Sequence, residues 1–341
     1  MNSLVKETKM IAWAPLLVTF LSVLIVLVTV AQSADEKTSG SVAAASAYPN
    51  RPIVLVAPFP PGHATDIENR KIAPLLAEAL GQPVTVENWT GKDGTAALEK
   101  MAHTAPDGYA LINHGINGLA IAPHVMKVGY DPIANFAPIV QENSPLPLVL
   151  LVYPGLPVSS VQELIAYGKS NPGKLNGGSF GVPTNVHVAL ILFNRIAGLK
   201  IPHTVYPGAQ IMNDLIAGKF QLMFNFPLAA EAHVKSGKLK ALAVTGNDRS
   251  VRLPDVPTFS EAGIEGMDIM GWQGFLAPAG TPPEIVSKLN VELVKTFISL
   301  NNKEGLKIRR ESGTPEEFAA FIKTENARWG KILKEEGIRL E

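Results

Sequence analysis

Two loops of this sequence place glycine and proline, with a hydroxyl or an imidazole, directly before a helix. The first is PFPPGHATD, residues 58–66, after the apolar run IVLVA; the second is SFGVPTNVH, residues 179–187. Proline has no backbone N–H, so each loop is stiff and poor in donors at its prolines. The first turn of the helix that follows presents amides without internal partners. Both loops therefore predict an anion site made of backbone N–H groups. In the first loop, these N–H groups are expected to be free from Gly62 onward.

One such loop from each half of the molecule would hold a carboxylate without an arginine. Charge-assisted hydrogen bonds contribute about 1.5–3 kcal/mol each, and a helix start adds about 0.3–1 kcal/mol. Four or five of them cover the roughly 8 kcal/mol of micromolar binding after the costs of ordering. Thr184 has two open roles, because it can cap its own helix or donate to the ligand.

A catalytic interpretation of the second loop is the main alternative. GGSFG, residues 177–181, fits the G-x-S-x-G nucleophile pattern, and Asp214 and His233 follow in the order of a hydrolase triad. Pro183 argues against it, because it delays the helix to about Thr184 and leaves the loop too long for a nucleophile elbow. A serine hydrolase using Ser179 therefore stays as an alternative function.

Metal and cofactor chemistry have no sequence signal. The seven histidines show no HxH, HxxxH or HExxH spacing, and the chain has no cysteine. We therefore expect no metal site and no cofactor. The lack of cysteine also excludes disulfides, thiolate catalysis and a lipidated N-terminal cysteine.

Length and composition predict a globular protein of two domains. The chain has 341 residues, 46% hydrophobic and 18% charged, with a formal net charge of zero. A chain of this length exceeds one ordinary domain. The balanced charge gives no electrostatic reason to expect nucleic acid as a partner.

The N-terminus has the order of a secretory signal. Lys6 and Lys9 precede an uncharged, largely apolar stretch over residues 10–34, and small residues follow it. This pattern predicts a signal peptide over residues 1–33 and a low-complexity linker over 34–47. Because the apolar part is long enough to span a bilayer, an uncleaved membrane anchor is the open alternative. Both interpretations place the chain from about residue 48 outside the cytoplasm.

From Arg51 onward, short apolar runs alternate with amphipathic stretches, which predicts an α/β fold. Two series of strands indicate two lobes, with a ligand where strand ends of both lobes face each other. The last predicted helix has one apolar stripe and should pack on a domain surface. The residues of that stripe are Phe318, Phe321, Ile322, Trp329 and Leu333.

Many segments from Tyr48 to the C-terminus occur in the order of one known family. They include RPIVLVAPFPPG with Asp66 after it, LGQPVTVEN, APDGYALIN, GSFGVPTNVH, LPDVPTFSEAGI and GWQGFLAPAGTP. The chain resembles the extracytoplasmic solute receptors of tripartite tricarboxylate transporters, the Bug/TctC type. So many motifs at compatible spacing make the resemblance specific.

The resemblance implies a two-lobed periplasmic-binding-protein fold without catalysis, of the Venus flytrap, type II-like kind, with a central cleft and hinge strands. Lobe 1 would comprise residues 48–148 and 272–341, and lobe 2 residues 149–271. It implies a monomeric receptor in the periplasm of a Gram-negative bacterium. This receptor would deliver a small carboxylate to the large and small membrane subunits of a permease. A membrane-tethered sensor of a signalling system is the other alternative.

The resemblance also implies which residues contact the ligand, through main-chain amides, hydroxyls and ordered water. They lie in loops after three strands and at the end of a fourth. The implied residues are Phe59, Pro61, Gly62 and His63; His114, Asn117 and Gly118; Ser179, Gly181, Pro183, Thr184 and Asn185; and Asn225.

Several positions depart from the family pattern. His63 stands where the family usually has glycine, and it can donate to the ligand or point to solvent. Trp89 and Lys92 replace a common arginine and a small residue, and we expect both to be surface changes. Asn225 stands where acids are frequent. We expect the lost charge to disfavour ligands with an ammonium group and to tolerate an extra carboxylate.

Overall fold

The apolar runs of the sequence form the strands of two separate sheets, and the amphipathic stretches form helices around them. The computed structural model describes residues 48–181, 184–206, 210–304, 313–335 and 337. Contacts divide the chain between Asn50 and Arg51, and the fold below is that of Arg51 onward. The predicted signal and linker lie outside the described residues, as does Pro183. No helix within the described ranges is long and apolar enough to cross a membrane.

The first sheet is mixed. Its strands are β1 (Ile53–Ala57), β2 (Val84–Asn88), β3 (Ala110–Gly115), β4 (Phe136–Pro147) and β10 (Met270–Pro278). Their order is β2-β1-β3-β10-β4. β1 is parallel to β2 and β3, whereas β10 is antiparallel to β3 and β4.

The second sheet repeats this arrangement. Its strands are β5 (Val149–Val152), β6 (Gly177–Ser179), β7 (His203–Val205), β8 (Leu222–Asn225) and β9 (Lys240–Val244). Their order is β7-β6-β8-β5-β9, with β6 parallel to β7 and β8, and β5 antiparallel to β8 and β9. We call the part built on β1–β4 and β10 the first lobe and the part built on β5–β9 the second lobe.

Helices follow most strands, and their ends agree with the capping signals. The helices of the described residues are α1 (Ala64–Leu80), α2 (Thr95–Ala102), α3 (Ala122–Val125), α4 (Val161–Ser170), α5 (Asn185–Ala197), α6 (Ile211–Ile216), α7 (Pro227–Lys235), α8 (Pro283–Glu304) and α9 (Pro315–Glu335). α1 ends at Gly81 and α5 at Gly198, both with left-handed φ, as their glycines predict. A π-helical turn, Asn117–Ile121, was not predicted.

Two connections join the lobes, and they are bonded to each other. The chain leaves the first sheet at Leu148 and returns between β9 and β10. The N–H of Leu148 donates to Oγ1 of Thr245 at 2.8 Å, and the N–H of Thr245 donates to the Leu148 carbonyl at 2.8 Å. The domain boundaries and the hinge strands stay predictions.

The C-terminal helix α9 is anchored to β10 by a buried carboxylate. Glu325 is 8% exposed, and its Oε2 accepts the indole N–H groups of Trp272 at 3.1 Å and Trp329 at 3.0 Å. Arg328 donates to its Oε1 at 3.2 Å. A buried charge needs such partners. Four members of the predicted stripe are buried and Phe321 is half-buried, so α9 packs on the first lobe as predicted.

Neighbouring residues of α8 test this core. Phe297 is fully buried with its ring 6.1 Å from that of Phe275, whereas Ile298 is 47% exposed. We expect Phe297→Ala to lower the free energy of unfolding by about 3–5 kcal/mol, because it leaves a cavity. Ile298→Ala should lower it by less than about 0.5 kcal/mol. Urea unfolding followed by circular dichroism measures both; equal losses would contradict the described packing.

Candidate functional site

The first site loop is closed by hydrogen bonds to its own chain. The N–H of Gly62 donates to Oδ2 of Asp66 at 2.8 Å, and the N–H of His63 donates to the Pro60 carbonyl at 3.1 Å. The prediction that the amides are free from Gly62 onward is therefore wrong for these two. Gly62 has a φ of 86°, and a carboxylate in the first turn of α1 takes its N–H. Pro61 is exposed beside them.

Asp66 holds this loop in place. Its side chain is 3% exposed and accepts from Gly62, from Nδ2 of Asn88 at 2.9 Å, and from Arg70 at 2.9 and 3.1 Å. Burial raises the pKa of Asp66, but hydrogen bonds from Arg70, Gly62 and Asn88 outweigh it and lower the pKa to about 2. Asn88 also donates to the Phe59 carbonyl at 2.9 Å. The sequence analysis placed Asp66 in a family motif and predicted no role for it.

His63 caps α1 and is neutral. Its Nδ1 accepts the N–H of Thr65 at 3.3 Å, which leaves the ring proton on Nε2. The residue is exposed, but one ring face stacks on Phe59 with 4.1 Å between centroids. The loss of solvent around the stacked part of the ring lowers the pKa of His63 to about 4, although the Asp66 carboxylate raises it. His63 can therefore donate from Nε2 but carries no charge at neutral pH.

His114 lies inside the first lobe, behind Phe59. Its Nδ1 accepts the N–H of Gly115 at 2.9 Å, and its Nε2 lies 3.3 Å from the Gly94 carbonyl. Burial lowers its pKa to about 4. Gly118 packs against this ring, since a Cβ on Gly118 would lie 2.5 Å from Cε1 of His114. Both residues thus support the site from within the lobe.

The two hydroxyls of the second site loop are bonded within that loop. Oγ of Ser179 donates to the Gly181 carbonyl at 3.0 Å, and Oγ1 of Thr184 donates to the same carbonyl at 2.7 Å. Oγ1 of Thr184 also accepts the N–H of His187 at 3.4 Å. Of the two roles left open for Thr184, the structure shows the helix cap. Pro183 lies outside the described residues.

The predicted hydrolase triad is not assembled. His203 of β7, and not His233, contacts Ser179, with 2.6 Å between Nε2 and Oγ. The Ser179 hydroxyl lies within hydrogen-bond distance of both Nε2 of His203 and the Gly181 carbonyl. Asp214 instead pairs with Lys219 at 2.7 Å.

The sequence analysis did not identify His203 as a site residue, because only the pairing of β6 with β7 brings it to Ser179. Burial, together with the stacked ring of His187 3.8 Å away, lowers the pKa of His203 to about 4. His203 is therefore a neutral support of the second loop.

The two lobes meet at Asn117 and Asn185. Oδ1 of Asn117 accepts the N–H of Asn185 at 2.9 Å, which joins the π-helical turn to the start of α5. The Asn185 side chain is buried beside Gly271 of β10, and its Nδ2 has no hydrogen-bond partner among the described residues. A buried donor without an acceptor costs about 1–3 kcal/mol. This atom therefore marks a place where an acceptor is needed.

A further segment enters the site that the sequence analysis did not include. It is the turn of Gly91–Gly94. A Cβ on Gly94 would lie 3.1 Å from Nε2 of His114 and from Cζ of Phe59. Asp93 lies against Gly181 of the second lobe. Lys92 is exposed and pairs with Glu99 at 3.1 Å, which agrees with the expected surface change.

Asn225 ends β8 and is buried. Its Oδ1 accepts the N–H of Phe226 at 2.8 Å, and its Nδ2 lies 3.2 Å from Sδ of Met212. The side chain is thus bonded inside the second lobe, and its effect on ligand choice stays a prediction. Across the described residues there is no group of three or more His, Asp or Glu that could hold a metal ion.

Known relatives share most of the chain. A family model described as "Tripartite tricarboxylate transporter family receptor" matches residues 69–338. A UPF0065 protein of Bordetella pertussis is 35% identical over 307 residues, which covers 88% of this chain and 94% of that protein. Protein BugT of the same organism is 33% identical over 316 residues, covering 89% and 95%.

Solved structures are similar in fold and sequence. The periplasmic binding protein BugD is 31% identical with a TM-score of 0.77, covering 86% of this chain and all of that one. Rpa4515 of R. palustris, solved with adipate, is 31% identical with a TM-score of 0.76, covering 86% and 99%. MatC of Rhodopseudomonas palustris, with bound malate, is 29% identical with a TM-score of 0.76, covering 84% and 100%.

These matches agree with the two-sheet architecture and with the resemblance seen in the sequence. They also exclude the hydrolase alternative, because the relatives are solute-binding receptors. The chain belongs to the tripartite tricarboxylate transporter receptor family, and it is a two-lobed periplasmic solute-binding receptor and not an enzyme.

Proposed function

We propose that this receptor captures a small organic acid in the periplasm of a Gram-negative bacterium. It delivers that acid to the large and small membrane subunits of a tripartite tricarboxylate-type permease. The structures of Rpa4515 with adipate and of MatC with malate support a carboxylate ligand. The apolar segment over residues 10–34 supports export of the chain.

The observation that carries this proposal is the unpaired amide of Asn185. Its Nδ2 is a buried donor at the N-terminal end of α5, a helix of 13 residues. A carboxylate oxygen would satisfy that donor, and the helix dipole would add a favourable field. The backbone N–H of Asn185 is already taken by Asn117 of the first lobe. The donor therefore lies where both lobes are in contact.

The charges around the site support binding by neutral donors. Arg70 follows the first site loop and is paired with Asp66, and Lys92 lies within the turn of Gly91–Gly94 and is paired with Glu99. The three site histidines have pKa values of about 4, so their rings are neutral near pH 7. A carboxylate would then be held by the Asn185 amide and by Nε2–H of His63, as a ligand in a preorganised polar cleft can be.

Asn185→Ala tests the unpaired donor. We expect the affinity for the acid to fall about 10- to 100-fold, because a hydrogen bond to a charged group contributes about 1.5–3 kcal/mol. The stability of the ligand-free variant should be unchanged or higher, because a buried unpaired donor is removed. Calorimetric titration measures the affinity, with malate, adipate and other acids selected by a thermal-shift screen.

Asn194 gives a matched control on the same helix. Its Nδ2 donates to the Ile201 carbonyl at 2.9 Å, and its Oδ1 accepts the N–H of Ile201 at 3.1 Å. Asn194→Ala should therefore lower stability and leave the affinity of the folded protein unchanged. An Asn185→Ala variant that loses stability but keeps its affinity would count against the proposed site.

The neutral histidines predict binding that does not depend on pH between 6 and 8. Their folded pKa of about 4 lies below the ordinary value of 6.5, so protonation favours the unfolded chain. Their contribution to stability is complete above pH 6.5 and is lost as the pH falls through about 4. Between pH 6 and 8 we expect the affinity to change less than about twofold.

Titrations at pH 6, 7 and 8 on the wild type and on His63→Ala measure this. A tenfold gain in affinity toward pH 6 that disappears in His63→Ala would show that a charged imidazolium contacts the ligand, contrary to this account.

A further inference from the structure

Asp93 lies in a turn with an unusual backbone. Four consecutive residues, Gly91, Lys92, Asp93 and Gly94, have positive φ angles of 128°, 45°, 53° and 92°. For Lys92 this conformation is unfavourable, whereas aspartate tolerates it better. Two strained side-chain-bearing residues in a row persist only where the surrounding structure holds them, and such strain clusters at ligand sites.

The turn is held against the first site loop. The N–H of Gly94 donates to the Gly91 carbonyl at 2.9 Å, and Oγ1 of Thr95 donates to the Lys92 carbonyl at 2.8 Å. Gly94 itself is buried against Phe59 and His114. Asp93 therefore projects from a fixed platform.

The carboxylate of Asp93 reaches the second site loop. A Cβ built on Gly181 would lie 3.2 Å from Cγ and from both carboxylate oxygens of Asp93. Gly181 is itself fixed, because its carbonyl accepts the hydroxyls of Ser179 and Thr184. Partial burial raises the pKa of Asp93, because the charged carboxylate is less well hydrated there. A negative charge of the first lobe thus lies beside the second site loop.

We propose that Asp93 determines which acids the receptor accepts. Its carboxylate pairs with a hydroxyl or ammonium group on the bound acid, and it repels an acid whose second carboxylate reaches the same place. The inference rests on the proposed function, since it concerns the acid held at the same cleft. Two like charges about 5 Å apart at a partly solvated site change binding by roughly 10- to 100-fold. Selectivity of this kind comes from a repulsive element as much as from an attractive one.

This inference reverses the expectation drawn from Asn225. The loss of an acid at position 225 predicted tolerance of an extra carboxylate and rejection of ammonium groups. The amide of Asn225 is bonded to Phe226 and Met212 inside the second lobe. Asp93 brings a carboxylate from the opposite lobe instead. The two expectations predict opposite orders for the same ligands, so one experiment decides between them.

The experiment uses probes that differ only at one end of the molecule. They are butanoate, 4-hydroxybutanoate, 4-aminobutanoate and succinate, and the corresponding six-carbon series that ends in adipate. Calorimetric titration with the purified receptor measures each affinity. We expect the hydroxy or amino acid of at least one series to bind at least about tenfold more tightly than its dicarboxylate.

Asp93→Asn removes the charge and keeps a side chain that tolerates left-handed backbone. In this variant the dicarboxylate should gain about 10- to 100-fold relative to the amino acid. Asp93→Gly also relieves the backbone strain and should give the same order of affinities. Unfolding midpoints of both variants show whether they are folded.

Asp107→Asn is the matched control. Asp107 pairs with Arg51 at 2.7 Å. It precedes β3, whereas the site residues lie at or after the other end of that strand. It makes the same chemical change and should leave the order of affinities unchanged.

A wild type that prefers the dicarboxylates, or an Asp93→Asn variant that shifts all probes by one factor, would overturn the role of Asp93. Binding of carboxylates, and with it the proposed function, would still stand. If no probe and no acid of the wider screen binds the wild type, the proposed function fails, and the inference fails with it.

Discussion

The hydrogen bond from the N–H of Asn185 to Oδ1 of Asn117 is the contact on which the site depends. It joins the start of α5 in the second lobe to the π-helical turn of the first, at 2.9 Å. The Asn185 side chain is thereby buried with its Nδ2 unpaired among the described residues. An acceptor at this donor would remove the cost of the unpaired N–H, so a bound acid would stabilise the contact between the lobes.

Two aspartates lie near this contact, and their carboxylates have different roles. Asp66 is internal to the first lobe and takes the Gly62 N–H, with Arg70 as its counter-ion. Asp66 fixes the loop, and its ion pair with Arg70 neutralises the charge of that arginine. Asp93 extends from the same lobe to Gly181 of the other. Under the proposed function, the first shapes the loop and the second screens the acids that enter.

Local patterns predicted most of the fold. Short apolar runs predicted the strands. Gly81 and Gly198 predicted the ends of α1 and α5, because glycine readily adopts the left-handed φ that ends a helix. The details of the site were harder to predict. The contact of Ser179 with His203 depends on strand pairing, and the contact of Asp93 with Gly181 depends on how the two lobes meet. Neither can be seen without three-dimensional neighbours.

The central claim is that uncharged N–H groups of the site, above all Nδ2 of Asn185, bind an acid without a cationic side chain. A crystal structure of the receptor with a bound carboxylate tests this most directly. The account predicts a ligand oxygen within about 3.2 Å of Nδ2 of Asn185, and no lysine or arginine nitrogen within about 4 Å of that carboxylate. A lysine or arginine paired with the bound acid, or a ligand held away from Asn185, would contradict it.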